Sequence, residues 1–150
     1  MAERTGRDVL HHLIDLCRDG ERGFRAAADH VSDPTLKSLF TDLATQRKRF
    51  ADELQPHLQR LGGPPDAEGT SAGALHRRWM LLTGLVPGRH DHHIVTEAER
   101  GEHAALDAYE DALNGPLPPT ATEIIESQRE AIVKANDRIR SVDMGYSIAE

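Results

Sequence analysis

The chain has 150 residues, a net charge of −7 and a single cysteine, which predicts one domain over residues 1–150 without a disulfide framework and favours a cytoplasmic location. The acidic balance argues against nucleic acid or an anionic membrane surface as a partner, and no apolar run reaches the roughly 20 residues that span a bilayer. Aromatic residues make up only 4% of the chain and no period-two alternation appears, so the pattern predicts packed helices rather than a sheet.

The first predicted helix covers about residues 6–31. Thr5 and Asp8 have the spacing of a capping box at its start. Apolar side chains then recur in steps of three and four, as on the buried face of a bundled helix, at Leu10, Ile14, Cys17, Phe24, Ala28 and Val31. We call such a row of core-facing positions the seam of a helix. The remaining position of this seam is Glu21, so we expect a carboxylate that points into the core.

The second predicted helix covers residues 34–61 and runs antiparallel to the first, because the link between them is very short. Asp33 is its expected N-cap and Pro34 its first residue. Its seam consists of Leu36, Phe40, Leu43, Arg47, Phe50, Leu54, His57 and Leu61. Arg47 is the charged position of that seam. Pro56 cannot donate a backbone hydrogen bond, so we expect a kink or an early end there.

Residues 64–90 form a long connection in which the apolar spacing predicts a short helix over residues 72–86. Trp79 and Met80 lie in this helix, and we expect them to cross the bundle or to form a partner surface. The sequence therefore predicts a crossover with structure of its own.

Two further helices are predicted over residues 92–114 and 120–142. The third helix has the seam Val95, Ala98, Glu102, Ala105, Tyr109 and Ala112, and the fourth has Ala121, Ile125, Gln128, Ile132, Ala135, Ile139 and Val142. Glu102 and Gln128 are the polar positions of these seams.

A weak internal repeat aligns the polar seam positions. The dipeptide Gly-Glu occurs in the first helix, where its glutamate is Glu21, and in the third, where its glutamate is Glu102. The dipeptide Gln-Arg occurs in both the second and the fourth helices. A rise of about 1.5 Å per residue, counted from the turns, gives the position of each residue along the bundle axis. By this count Glu21 and Arg47 lie within roughly 5 Å of each other along the axis, and Glu102 lies opposite Gln128. We therefore expect these four side chains to form one central buried polar layer.

Three stretches, DGERGFRAA, GALHRRWM and ERGEHAALDAY, together with the closing Gln-Arg helix, resemble a family of uncharacterised bacterial ferritin-like proteins. The resemblance covers nearly the whole chain. It implies an all-α, ferritin-like up-down four-helix bundle, with a long crossover that carries a short helix between the second and third helices. It implies a fold and no particular activity.

The resemblance also invites comparison with ferritin-like di-iron sites, which use one Glu from each of two helices and a Glu-x-x-His motif from each of the others. Glu21 and Glu102 stand at the single-Glu positions. The Glu-x-x-His positions read Gln-x-x-Arg in the second helix and Gln-x-x-Ala in the fourth. Two carboxylates and both histidines of the di-iron pattern are therefore replaced.

Two interpretations of the polar layer follow. In the favoured one, Glu21 and Glu102 form a buried network with Arg47, helped by Gln128, and no cofactor is expected. In the alternative, iron or manganese is held by the carboxylates of Glu21, Glu53, Glu99 and Glu102. The replaced motifs and the nearby guanidinium, which opposes a cation, favour the first interpretation.

His90, His92 and His93 lie together at the predicted start of the third helix. They could chelate a transition metal, but a solvated surface cluster is the favoured interpretation. No catalytic triad, phosphate-binding glycine loop or dinucleotide fingerprint is present in the sequence. We therefore expect a non-catalytic assembly or stress-associated protein that acts through its surface, as a homo-oligomer or with a protein partner. A metal-dependent oxidoreductase or metal-handling protein is the alternative.

Overall fold

A computed structural model describes residues 4–65, 67, 69 and 90–149. Four helices and no strand are found in these residues, as the sequence predicts: α1 (Gly6–His30), α2 (Pro34–Arg60), α3 (His90–Leu113) and α4 (Pro119–Ala149). The last helix continues beyond its predicted end at residue 142. The short helix predicted over residues 72–86, with Trp79, lies outside the described residues. None of the helices in the described part of the chain combines the length and the apolar content that crossing a bilayer requires.

The starts of α1 and α2 have the predicted capping geometry. The Asp8 N–H donates to the Thr5 hydroxyl at 3.1 Å, and the Thr5 N–H donates to the Asp8 carboxylate at 3.0 Å. At the second helix the Asp33 carboxylate accepts from the Thr35 N–H at 2.8 Å, and Pro34 is the first helical residue. Both signals act within four residues, which is why they can be read from sequence.

The end of α2 lies within one residue of its predicted bound. The helix continues through Pro56 to Arg60, so of the two effects expected of Pro56, a kink or an early end, the early end is wrong. Pro56 has no N–H to donate to the carbonyl of Asp52. Because Pro56 is exposed, water can hydrogen-bond to that carbonyl instead. The predicted seam is also wrong here, because Leu58 is buried in place of His57 and Leu61 is exposed.

The helices form a square in which α1 packs against α2 and α3, and α4 packs against the same two helices. The start of α3 lies beside the turn between α1 and α2, where the Asp91 carboxylate accepts from the N–H groups of Ser32 and Asp33 at 2.9 and 3.1 Å. Its other end lies beside the start of α1, since a Cβ on Gly6 would be 2.6 Å from the Pro116 carbonyl oxygen. α3 is therefore antiparallel to α1, and the chain between α2 and α3 joins opposite ends of the bundle.

The core consists of two hydrophobic clusters that meet near the middle of the bundle. The first cluster includes Cys17 and Phe50, and the second includes Phe24 and Leu43. Along α2 the residue between the two clusters is Arg47, and along α3 it is Glu102. The core is therefore divided at the level where the sequence predicts a polar layer.

Candidate functional site

Arg47 and Glu102 form a bidentate ion pair where the two clusters meet. Nη1 of Arg47 donates to Oε1 of Glu102 at 2.6 Å, and Nη2 donates to Oε2 at 2.5 Å. The arginine is 3% exposed and the glutamate 1%. Within the described residues α2 and α3 do not pack directly against each other, so this pair spans the diagonal of the bundle.

Aromatic rings flank the guanidinium of Arg47. Its Cζ lies 5.3 Å from the ring centroid of Phe24 and 5.9 Å from that of Phe50, which is within the range of cation–π attraction. Burial by itself would lower the pKa of Arg47, but the charge and hydrogen bonds of Glu102 outweigh that effect and raise the pKa. Arg47 therefore remains charged inside the core.

A second group of buried hydrogen bonds forms a chain that lies about one helical turn from Arg47 along α2 and about two turns from Glu102 along α3, and it touches all four helices. The Cys17 sulfur is 3.2 Å from the Tyr109 hydroxyl oxygen, which is 2.7 Å from Oε1 of Gln128. Nε2 of Gln128 is 3.2 Å from the carbonyl oxygen of Phe50. The four residues lie on α1, α3, α4 and α2 respectively, so the chain links the whole bundle.

The carbonyl of Phe50 sets the direction of this chain. A carbonyl can only accept a hydrogen bond, so Gln128 turns its nitrogen towards Phe50 and its oxygen towards Tyr109. The Tyr109 hydroxyl then donates to Gln128, and the Cys17 thiol donates to Tyr109. Burial raises the pKa of Cys17, and it raises the pKa of Tyr109 well above its usual value. Both groups therefore keep their protons, and neither is an ionised nucleophile or base at neutral pH.

The structure corrects the expected place of Glu21. Its side chain is 17% exposed, and Nη2 of Arg25 lies 3.0 Å from its Oε2. Nη1 of Arg18 is 4.0 Å from its other oxygen. Glu21 lies at the edge of the core, where a cation one turn along the same helix can reach it and where the carboxylate keeps part of its hydration. It is therefore not part of the buried layer formed by Arg47 and Glu102.

The four carboxylates of the alternative metal site lie beside arginines. Each has an arginine nitrogen within 3.7 Å, in the pairs Glu21–Arg25, Glu53–Arg49, Glu99–Arg140 and Glu102–Arg47. Among the side chains that the structure describes, no three His, Cys, Asp or Glu residues come together in a group that could hold a metal ion. A guanidinium repels a cation and occupies carboxylate oxygens. These four carboxylates, as the described part of the chain places them, therefore do not fit a di-iron or dimanganese centre.

The predicted histidine cluster lies at the start of α3. Nε2 of His92 is 3.2 Å from Oδ1 of Asp143 on α4, and the rings of His92 and His93 stack with their centroids 6.3 Å apart. The side chain of His90 lies outside the described residues. Burial, together with a hydrogen bond to Asp143, raises the pKa of Glu99. His92 and Glu99 therefore link the first half of α3 to the end of α4.

The polar role of Tyr109 and the burial of Asn136 were not predicted from the sequence. A phenol at a seam position needs a hydrogen-bond partner when it is buried, so Tyr109 did carry a signal that could have been used. Asn136 carries none, because it follows the seam residue Ala135 by one position. It is buried, and its Oδ1 has no partner among the described residues.

The two glycines that precede the seam glutamates provide a matched test of packing. A Cβ on Gly20 would lie 3.3 Å from Cγ of Arg47, whereas a Cβ on Gly101 would meet nothing within 4 Å. We expect Gly101→Ala to raise the free energy of unfolding by roughly 0.5–1 kcal/mol through helix propensity alone. Gly20→Ala should not raise the free energy of unfolding, because its Cβ would crowd Arg47, which the ion pair with Glu102 holds in place. Urea unfolding of both variants measures the difference, and equal gains would contradict close packing at Gly20.

Residues 7–115 match the model of a family described as a domain of unknown function (DUF2383). The chain belongs to this family. The resemblance to a family without an assigned activity is thereby confirmed. The matched region contains α1, α2 and α3 with both members of the buried ion pair, and it ends before α4 and Gln128. No curated protein matches the chain.

Proposed function

We propose that this protein is a non-catalytic, ferritin-like bundle in which the Arg47–Glu102 ion pair takes the place of a metal centre. It serves as a cytoplasmic assembly or stress-associated module that works through its surface. The observation that carries the proposal is that Arg47 binds both oxygens of the Glu102 carboxylate. The ferritin-like assignment is supported by the chain path, because the connection between α2 and α3 joins opposite ends of the bundle.

The chemistry of the ion pair favours a structural role. A cation at Glu102 would have to displace two short charge-assisted hydrogen bonds and would then lie next to the buried positive charge of Arg47. The neighbouring hydrogen bonds that join Cys17, Tyr109, Gln128 and the Phe50 carbonyl involve no group that is ionised at neutral pH. Both features hold helices in place and neither prepares a reaction.

The surface favours polar contacts with a partner. Of the side chains that the structure describes, Leu61 is the one large hydrophobic group that is exposed. Permanent oligomers bury large apolar interfaces, so the described surface is better suited to a homo-oligomer or partner complex that forms through charged groups. The net charge of −7 is consistent with a partner that offers basic side chains.

The proposal is tested by the metal content of untagged protein purified from cells supplemented with iron and manganese. We expect less than about 0.1 iron or manganese ion per chain, because the donor set lacks the ligands that hold these ions. Glu102→Gln, which removes the fully buried carboxylate, and Glu21→Ala, which removes the one at the edge of the core, should leave that value unchanged. Near-stoichiometric metal that disappears in either variant would overturn the proposal and indicate a metal-dependent protein.

A further inference from the structure

One arginine on α1 contacts three separate segments of the chain. Nε of Arg18 donates to the carbonyl oxygen of Ala67 at 3.3 Å, and its Nη2 donates to Oδ1 of Asp52 on α2 at 3.0 Å. Its Nη1 is 4.0 Å from Oε1 of Glu21 on α1. A single guanidinium therefore joins the beginning of the crossover to both helices of the first pair.

The described residues of that beginning, 61–65, 67 and 69, are termed the strap. The strap is held on the bundle by side chains. The Gly69 N–H donates to Oδ1 of Asp15 at 3.1 Å, and Nε2 of Gln55 donates to the Pro64 carbonyl oxygen at 2.8 Å. Ala67 is buried in the first hydrophobic cluster. When the strap leaves this position, it exposes core.

The position of Gly69 shows how closely the strap approaches α1. Its φ is +93°, and a Cβ there would lie 2.7 Å from Oδ1 of Asp19 and 2.8 Å from Nη1 of Arg22. Only glycine adopts this conformation without strain. The strap therefore has one well-defined seat, and a side chain at residue 69 would displace it.

The shape of a guanidinium makes the contacts of Arg18 interdependent. Its N–H groups lie in one rigid plane, so the bond to Asp52 orients the bond to Ala67. Loss of the Asp52 contact frees the side chain to rotate and weakens the hold on the strap. A lysine, with its single rotating ammonium, would lack this linkage.

We propose that Arg18 is a latch that couples the seating of the strap to the charge of Asp52 on α2. Asp52 is a half-exposed carboxylate that also binds Nζ of Lys48 at 2.8 Å, so its charge is accessible to a partner or a change of conditions. Neutralising Asp52 releases Arg18, and release of Arg18 unseats the strap and uncovers the core around Ala67. This conformational device is independent of the proposed function.

The test uses the full chain with a reporter thiol introduced by Ala67→Cys. Its rate of labelling by a maleimide, read by peptide mass spectrometry, reports unseating of the strap. Cys17 is the reference in the same molecule, because it lies deep in the core and reacts only when the bundle opens. Gly69→Ala unseats the strap with Arg18 intact and so calibrates the reporter.

We expect Arg18→Ala to speed labelling of the reporter thiol by about tenfold and Asp52→Asn by about threefold, through local opening, while Cys17 changes by less than about twofold. Gly69→Ala should speed it as well. The matched control is Glu53→Gln on α2, whose observed ion pair is with Arg49 and not with Arg18, and it should leave the rate unchanged.

Two results would overturn the latch. If Asp52→Asn labels at the parent rate, the charge of Asp52 does not control the strap. If Arg18→Ala speeds the labelling of the reporter thiol and of Cys17 equally, Arg18 stabilises the whole bundle and does not hold the strap separately.

Discussion

Replacing Glu102 by alanine is expected to lower the free energy of unfolding by about 3–5 kcal/mol, because the Arg47 guanidinium is then left in the core without a counter-charge. Urea unfolding followed by circular dichroism measures this loss. The matched control is Glu110→Ala, which breaks the exposed pair between Glu110 and Arg129 and should change stability by about 0–1 kcal/mol. A loss at Glu102 no larger than at Glu110 would mean that water reaches Arg47.

The double variant Arg47→Met with Glu102→Leu distinguishes the net contribution of the ion pair to stability from the cost of leaving one of its charges unpaired. Removing both charges leaves no uncompensated ion, so we expect stability between that of the parent and about 4 kcal/mol above it. The pair then contributes specificity rather than stability. Since it joins α2 and α3, which do not pack directly against each other in the described part of the chain, we expect it to fix the register of these two helices.

The starts of α1 and α2 could be predicted because their determinants are local. The Thr5–Asp8 box and the Asp33–Pro34 start each involve residues within a few positions, and their hydrogen bonds form within one turn. The seam at the end of α2 could not be predicted in the same way. Whether the core takes His57 or Leu58 depends on where the neighbouring helices end, which is a property of the assembled bundle.

The polar layer was predicted in part. Counting height along the helices placed Glu21 beside Arg47 and Glu102 opposite Gln128, whereas Arg47 pairs with Glu102. The two Gly-Glu pairs had made Glu21 and Glu102 look equivalent. A local signal distinguishes them. Glu21 has Arg25 four residues later and can pair on its own helix, whereas Glu102 has Leu106 at that position and must take its partner from another helix.

The repeated Gln-Arg pair shows a second limit of sequence patterns. In α2 the arginine of the pair, Arg47, is buried, while in α4 the glutamine, Gln128, is buried and Arg129 binds Glu110 at the surface. The two helices therefore present the same dipeptide to the core with a shift of one residue. This shift depends on the rotation of each helix about its axis, which the packing of all four helices sets. The same rotation directs Gln128 to Tyr109 instead of to a glutamate.

Tyr109→Phe is expected to lower the free energy of unfolding by about 1–3 kcal/mol, because it leaves Oε1 of Gln128 buried without a donor. The change removes one oxygen and leaves the ring in place, so the loss reports the hydrogen bond and not a cavity. Thermal and urea unfolding of the variant measure it. Cys17→Ala, which removes only the weak thiol donor at the end of the chain, should show a smaller polar contribution.

A double-mutant cycle with Gln128→Leu tests whether the chain acts as a unit. When both polar groups are absent, neither is left unsatisfied, and the Phe50 carbonyl keeps its bond within α2. The double variant should therefore be more stable than the sum of the single losses predicts, by a coupling energy of about 1–2 kcal/mol. Additive losses would mean that Gln128 is held by the Phe50 carbonyl alone. The hydrogen bond from Tyr109 would then add nothing to the hold on Gln128, and the direction imposed by Phe50 would end at Gln128.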